Sequence, residues 1–332
     1  LQNDGNRPAW FAPGRRYYSL GQYLRGRFGG KVWRVTVDAG FTCPNVDGTA
    51  AYGGCVYCDN RSFSPNRRLP HVGVRAQVER GVRILENYYG ADRFLVYFQA
   101  ATNTYAPATK LRRLYDEALD HSQILGLIVG TRPDCVPDDV LDLLQEYART
   151  RYVSVELGLQ TIHERSLRWM NRGHGPEVFA DAVRRCQGRG FEIGSHVILG
   201  LPGESRDDML ATADALAALP VDAVKIHNLH VVRDTPLEAQ YKAGEARMLE
   251  RDEYVALVCD FLERLPSGMV IQRLSGDAPP DYLVAPLWCL DKPGLLAAIR
   301  QELERRDSWQ GKFCSPSVAA PAARFTSLPL VH

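Results

Sequence analysis

The 332-residue sequence predicts an α/β protein: a partial (β/α)6 barrel of the TIM type followed by a small C-terminal α/β extension. Three observations carry that prediction. Strand-like and helix-like segments alternate six times across residues 31–245, which requires a parallel sheet with right-handed crossovers. Nothing divides the alternation into two compact nucleotide-binding halves, so a curled sheet is favoured over an open doubly wound one. Polar residues collect at the C-terminal ends of the strands, where such a barrel gathers its ligands.

Residues 1–30 read as a basic, aromatic arm. "KVWRVTVDA" is rich in β-branched residues and is the first strand, with a cysteine-bearing loop at its end and a helix near "VRAQVERGVRILENYY". Then "RFLVYFQ" pairs with "PATKLRRLYDEALDHS", "ILGLIVG" with "PDDVLDLLQEYART", and "YVSVELGLQ" with "HERSLRWMN" and "PEVFADAVRRCQGRG". "FEIGSHVILGL" with "SRDDMLATADALAAL", and "VDAVKIHNLHV" with "PLEAQYKAG", complete the core, 31–245. The extension, 246–310, contains the amphipathic "RDEYVALVCDFLERLP", a strand "MVIQRL", a loop and a final helix "KPGLLAAIRQELERRD". The small-residue, proline-rich end, 311–332, is expected to fray.

Composition sets the class. With 45% hydrophobic and 24% charged residues the chain is an ordinary globular protein. No apolar run approaches the ~20 residues that cross a bilayer, and no secretory pattern opens the chain. Eight scattered cysteines do not frame a small secreted module, so a reducing, cytoplasmic setting without a membrane partner is expected. The net charge of +1 hides an asymmetry. Residues 1–75 carry eleven Lys/Arg against four acids, interleaved with Trp10, Phe11, Tyr17, Tyr18, Tyr23, Phe28 and Trp33. That segment suits a polyanion such as RNA, and equally suits an irregular arm that packs on the domain.

Cys43, Cys55 and Cys58 are spaced C-x11-C-x2-C in "CPNVDGTAAYGGCVYC", and the next cysteine, Cys135, lies far downstream. Three thiolates on one glycine-rich loop suit a cubane cluster with one iron open to an outside ligand, which is a catalytic arrangement. The alternative is a zinc knuckle with His71 or Asp59 as fourth ligand. "GGC" lets the backbone pass close to a bulky inorganic core, and Tyr57 lies between the last two cysteines; both favour the cluster. Gln99, Arg132, Asp134, Glu156, Gln160, Arg172, His196, Gly200, Glu204, Lys225 and His227 fall at or near strand ends. Singly each is a buried polar group or a helix cap; on one rim together they argue for a shared polar ligand.

With "GTRPD", "GLPGE" and "QRLSGDAPP" in the same order, the chain from about residue 15 to 310 resembles the radical S-adenosylmethionine (SAM) superfamily. The resemblance is to its branch near the Elongator catalytic subunit, and within it to bacterial proteins bearing CPNxDG…GGCxxC, GTRPD and GLPGE. It implies a [4Fe–4S] cluster on Cys43, Cys55 and Cys58 whose open iron chelates SAM, reductive cleavage of SAM, and a 5′-deoxyadenosyl radical that abstracts a substrate hydrogen. Arg172 would pair with the SAM carboxylate, and Gln160 and Glu156 would serve its ribose or methionyl end. Ile198, Gly200 and Tyr57 would line the adenine. The chain departs from the family where "GGE" usually receives the SAM amino group: Gln99, Ala100 and Ala101 stand there. It departs again at Gly130, where related "ETRPD" segments carry glutamate, leaving Glu156 or a neighbour to supply that polarity.

The resemblance also implies an electron donor of flavodoxin or ferredoxin type. Some relatives resemble tRNA wobble-uridine enzymes that convert a carboxymethylaminomethyl group to aminomethyl, and the basic arm suits that partner. Two alternatives remain. In one, the enzyme acts on a small molecule or cofactor precursor, with Arg67 and Arg68 meeting an anionic substrate. In the other, the chain is a non-catalytic zinc-bound RNA-binding protein.

Overall fold

The computed structural model describes residues 7–314. Its strands are β1 (Trp33–Val37), β2 (Phe94–Phe98), β3 (Ile124–Thr131), β4 (Tyr152–Gln160), β5 (Glu192–Leu199), β6 (Ala223–Asn228), β7 (Val231–Val232), β8 (Val270–Arg273) and β9 (Leu283–Ala285). Seven form one sheet in the order β1-β2-β3-β4-β5-β6-β8, with every neighbouring pair parallel. This is the curled partial TIM-type barrel expected, with one strand more. "MVIQRL", placed by sequence in a separate extension, supplies β8 and covers the edge that β6 would otherwise leave unpaired. β7 and β9 make a small antiparallel ribbon.

Alternation along each strand divides two faces. Outward residues such as Val35, Val37, Phe94, Val96, Phe98, Leu127, Val129, Val155 and Leu157 pack against the covering helices, among them Val74–Tyr89, Ala108–Leu119, Asp138–Ala148 and Pro176–Cys186. The helices Arg251–Arg264 and Lys292–Arg305 of the C-terminal part join the same core through Tyr254, Val258, Phe261, Leu295 and Ile299. Each fully buried aliphatic or aromatic side chain there contributes roughly 1.5–3 kcal/mol.

The inward face is closed at its base by the N-terminal arm. Ser19 and Gln22 form a reciprocal capping box that starts a helix, Leu20–Phe28, and Gly29 ends it with a left-handed φ of 68°. Leu24, with Leu20, Tyr23 and Phe28, packs against inward Leu95, Tyr97, Ile128 and Tyr152. Tyr152 donates a 2.5 Å hydrogen bond to the buried Glu192 carboxylate, and Tyr23 donates to its other oxygen. The arm is also tied to the far end of the chain. Trp10 Nε1 donates to the Ser267 carbonyl at 2.7 Å, Phe11 meets Trp309 edge-on at 5.6 Å, and the Tyr18 amide donates to Gln310 Oε1 at 2.9 Å. From residue 7 onward the arm is therefore an ordered part of the barrel, and most of its aromatic rings are committed to packing.

The expected fraying does not begin at 311, because the Gly311 and Phe313 amides bond the Leu262 and Glu263 carbonyls at 3.1 and 2.8 Å. The rest of that segment, 315–332, lies outside the described residues, as do residues 1–6 of the arm. Among the described residues no helix is long and apolar enough to cross a membrane.

Candidate active site

A cavity of about 930 Å³ occupies the inner face of the sheet, above the plug formed by the arm. Cys43, Cys55, Cys58, Tyr57, Gln99, Glu156, Gln160, Arg172 and Ile198 all line it. The loop after β1 brings the cysteines there. Cys43 opens a turn whose carbonyl accepts from the Val46 amide at 2.7 Å, and the Cys58 amide donates to the Cys55 carbonyl at 2.9 Å. Gly53 and Gly54 precede Cys55 with φ of 81° and 78°, a region that favours glycine. Nothing stands within 4 Å of a Cβ added at Gly53, so the backbone turn is what requires this residue.

A second loop, after the helix Glu164–Trp169, clamps the first. Asn171 Nδ2 donates to the Tyr52 and Gly54 carbonyls, both at 2.8 Å, and Asn45 Nδ2 donates to the Asn171 carbonyl at 2.5 Å. Two donors reach the Cys55 sulfur: Asn45 Nδ2 at 3.4 Å and Arg172 Nη1 at 3.9 Å. Arg172 is anchored by Nη2 on the Gly158 carbonyl at 3.1 Å, while its buried Nε has no hydrogen-bond partner among the described residues. Gly158 is needed for this approach, because a Cβ there would lie 2.5 Å from Arg172 Nη2 and 2.6 Å from Gln160 Nε2.

The donor set fits a cluster better than a lone ion. Cys58 opens onto the cavity, yet desolvation and the neighbouring Cys55 and Cys43 push its thiol up. Three mutually opposed thiolates need a cationic core to hold them charged. The two residues proposed to complete a zinc site do not do so. His71 lines a different, smaller cavity beside Asp38, Gly40 and Arg67, and Asp59 is engaged by Arg61 at 2.8 Å. Among the described residues, no three His, Cys, Asp or Glu side chains form a group suited to a single metal ion.

Tyr57 and Ile198 share one apolar wall with Leu167 and Met170, on the side of Cys55 and Cys58. Gln160, with a φ of 70°, ends β4 facing the cavity. Gln99 also lines it, but its amide donates to the Phe63 carbonyl at 3.2 Å. Two expectations change. Gly200 is not in the cavity wall: it turns the chain beyond β5 with φ 88°, faces Leu249, and donates its amide to the Met209 sulfur at 3.1 Å. Glu156 lines the cavity deeper than the rim and is already bonded. Its Oε2 accepts from His196 Nε2 at 3.0 Å and from Lys225, whose Nζ also donates to Tyr97 at 2.9 Å. Burial alone would raise the Glu156 pKa, but the Lys225 charge and the His196 bond hold it well below the usual range. Burial lowers the Lys225 pKa, opposed by that same carboxylate.

Sequence reasoning passed over several wall residues, notably Arg34, Asn103, Arg273 and Cys289. Arg34 had a readable signal, a charged residue in phase with Thr36 in a β-branched strand and so directed inward. Arg67, weighed as an anion contact, is held by Asp38 at 2.6 Å, whereas exposed Arg68 stays at the cavity and lies over Tyr282 at 5.7 Å.

Comparison with known proteins agrees with this geometry. The model of the radical SAM superfamily matches residues 50–216, and that of the Radical_SAM C-terminal domain matches 221–305. "Uncharacterized protein YtqA" of Bacillus subtilis (strain 168) is 42% identical over 302 residues, covering 90% of this chain and 93% of its own. The "tRNA uridine(34) acetyltransferase" of Dehalococcoides mccartyi (strain CBDB1) is 27% identical over 290 residues, covering 76% of this chain and 61% of its own. The structure of archaeal Methanocaldococcus infernus Elp3, lacking residues 1–46, superposes with a TM-score of 0.65 at 18% identity, over 84% of this chain and 64% of that one, and shares the fold. From the matched models, the 42% relative and the three-cysteine cavity, the chain belongs to the radical SAM superfamily.

Proposed function

We propose that this radical SAM enzyme holds a [4Fe–4S] cluster on Cys43, Cys55 and Cys58, cleaves SAM reductively, and modifies the side chain of a tRNA wobble uridine. The observation that carries the reading is the placement of all three cysteines, with Arg172 against Cys55, on the wall of one cavity. When bound, the cluster and SAM supply one-electron chemistry: carbon–sulfur cleavage followed by removal of a hydrogen atom from the substrate. Arg172, with its free Nε, offers a carboxylate a cationic partner beside Cys55. Gln160 presents an amide to the polar part of the ligand, and Tyr57 and Ile198 offer a flat apolar wall for a base. Asn45 and Arg172 donate to the Cys55 sulfur and so stabilise its negative charge. The arm plugs the base of the barrel and excludes water from below.

The tRNA substrate is supported by the printed name of the Dehalococcoides relative and by exposed Arg61 and Arg68 beside Tyr282 on the cavity side. Arg15 and Arg25 of the arm are exposed too, while its half-buried Tyr23 and Phe28 pack against the sheet. The test is anaerobic incubation of the reconstituted protein, SAM and a reductant with tRNA from a strain lacking this gene. Mass analysis of the wobble nucleosides should show a mass change that requires SAM and Cys55. An unchanged profile, in the tube and in the deletion strain, rejects the tRNA substrate.

A further inference from the structure

Away from the cysteines, the same cavity carries cations that the cofactor reading does not use. Arg34 comes from β1 and Arg273 from β8, the two edge strands of the sheet, and both line the cavity. Lys225 lies beside Arg273 in register, and His227 lies on the same strand as Lys225. Charge neutralisation here is incomplete. Lys225 is bonded to Glu156, and among the described residues Arg273 has only Asp277 as a carboxylate partner, at 3.6 Å, which Lys292 also approaches at 3.8 Å. Arg34 has no carboxylate partner among the described residues; its nearest specific contact is the Tyr97 ring at 6.0 Å. Three cations of the cavity wall, Arg34, Lys225 and Arg273, thus face two acids, Glu156 and Asp277, in a half-buried space, while burial and the nearby Arg273 charge keep His227 neutral beside them. The buried Nε2 of His227 also has no hydrogen-bond partner among the described residues. Such a surplus repels itself, and an anion placed between the arginines relieves it.

We propose that Arg34 and Arg273, with Lys225 level with Arg273 and His227 two residues further along β6, form an anion subsite that anchors a carboxylate or phosphate of the substrate in the cavity that the cysteines also line. The assignment rests on the radical SAM reading of this cavity and specifies what its substrate must carry: a fixed negative charge near the bond to be attacked. Arg34 and Arg273 lie on opposite edges of the sheet, so one anion bridging them fixes the ligand in orientation as well as position. A substrate lacking that charge enters the cavity without registering against the radical source.

The test uses the cluster- and SAM-loaded protein and calorimetric titration. The nucleoside 5-carboxymethylaminomethyluridine should bind wild type at least tenfold more tightly than 5-aminomethyluridine, which lacks the carboxylate. In Arg34→Gln and, separately, Arg273→Gln, the ratio should fall towards one. Arg34→Lys should restore part of it. SAM titration of each sample reports that the variant is folded and loaded. Equal affinity of wild type for both nucleosides, or a ratio unchanged in both glutamine variants, overturns the subsite and leaves the tRNA reading standing. If neither nucleoside binds, acetate and inorganic phosphate are titrated against thermal stability. Stabilisation of wild type by either anion, lost in both glutamine variants, rejects the wobble side chain, keeps the subsite and identifies which anion it takes. No stabilisation by either anion rejects both.

Discussion

Arg172 Nη1 stands 3.9 Å from the Cys55 sulfur, while the Arg172 carbonyl accepts from Arg132 Nη2 at 2.9 Å. One residue thus ties a thiol of the first loop to the rim after β3, and its orientation is set from both sides. Arg132 is in turn fixed by Asp134 at 2.7 Å. The "GTRPD" motif acts on this site by holding Arg172 in place.

Replacing Arg172 by Gln should leave iron and sulfide content near wild type and weaken SAM. The loss of a charge-assisted pair amounts to about 1.5–3 kcal/mol, or roughly a 10- to 150-fold rise in SAM Kd. Titration of the anaerobic, cluster-loaded protein measures it. Unaltered SAM affinity contradicts the assigned role.

Cys55→Ala should remove the broad visible absorbance of the reconstituted protein and abolish SAM cleavage. Cys135→Ala should retain both, since that thiol is buried and donates to Asp134 at 3.7 Å. Metal analysis separates the readings: one zinc per wild-type chain, with no sulfide, supports the zinc alternative.

Lys225→Met should destabilise the fold by about 3–5 kcal/mol, because it leaves the buried Glu156 carboxylate without its cation. Glu156→Gln combined with Lys225→Met removes both charges and should recover much of that loss. Urea unfolding of the three proteins checks it; equal losses in the single and double variants would mean that the pair is not coupled.

Stability should fall as pH rises through the range set by Glu192. Desolvation pushes this carboxyl up to about 7, against partial relief from the Tyr152 and Tyr23 hydroxyls. The unfolded chain ionises first, from about pH 4.5, so the folded state loses up to about 3 kcal/mol between that pH and 7. Below 4.5 both states are protonated and the penalty vanishes. Glu192→Gln should flatten this part of the profile and gain most above pH 7. Denaturant midpoints at pH 5 and pH 8 test the sign.

Much of this was readable in the sequence because it rests on local pattern. The β-branched strands, the C-x11-C-x2-C loop and the polar strand ends place eight of the cofactor and cluster candidates around one cavity, together with Gln99, whose amide is turned to Phe63. What escaped depends on distant partners. The helix Leu20–Phe28 is too short to announce itself, and it is fixed by Tyr97, Ile128 and Tyr152. Glu156 reads as a rim residue until Lys225, 69 positions later, arrives beside it. Gly200 follows the strand whose Ile198 does face inward, but its left-handed turn carries it behind the wall. β8 joined the main sheet because the exposed β6 edge had no other partner in the sequence order.

The latch between the arm and the C-terminal segment bears on how this molecule is made. Tyr18 hydrogen-bonds to Gln310 across 292 residues, and the Tyr18 carbonyl accepts from Ile271 of β8. On the ribosome the first helix therefore emerges long before its partners, with a half-built barrel above it. Cys43, Cys55, Cys58 and Arg172 are synthesised well before Arg273 and Gln310. The cluster ligands and Arg172 are thus made before β8 and before Gln310, so the edge of the sheet beyond β6 and the latch on the arm are the last parts of the barrel to be supplied.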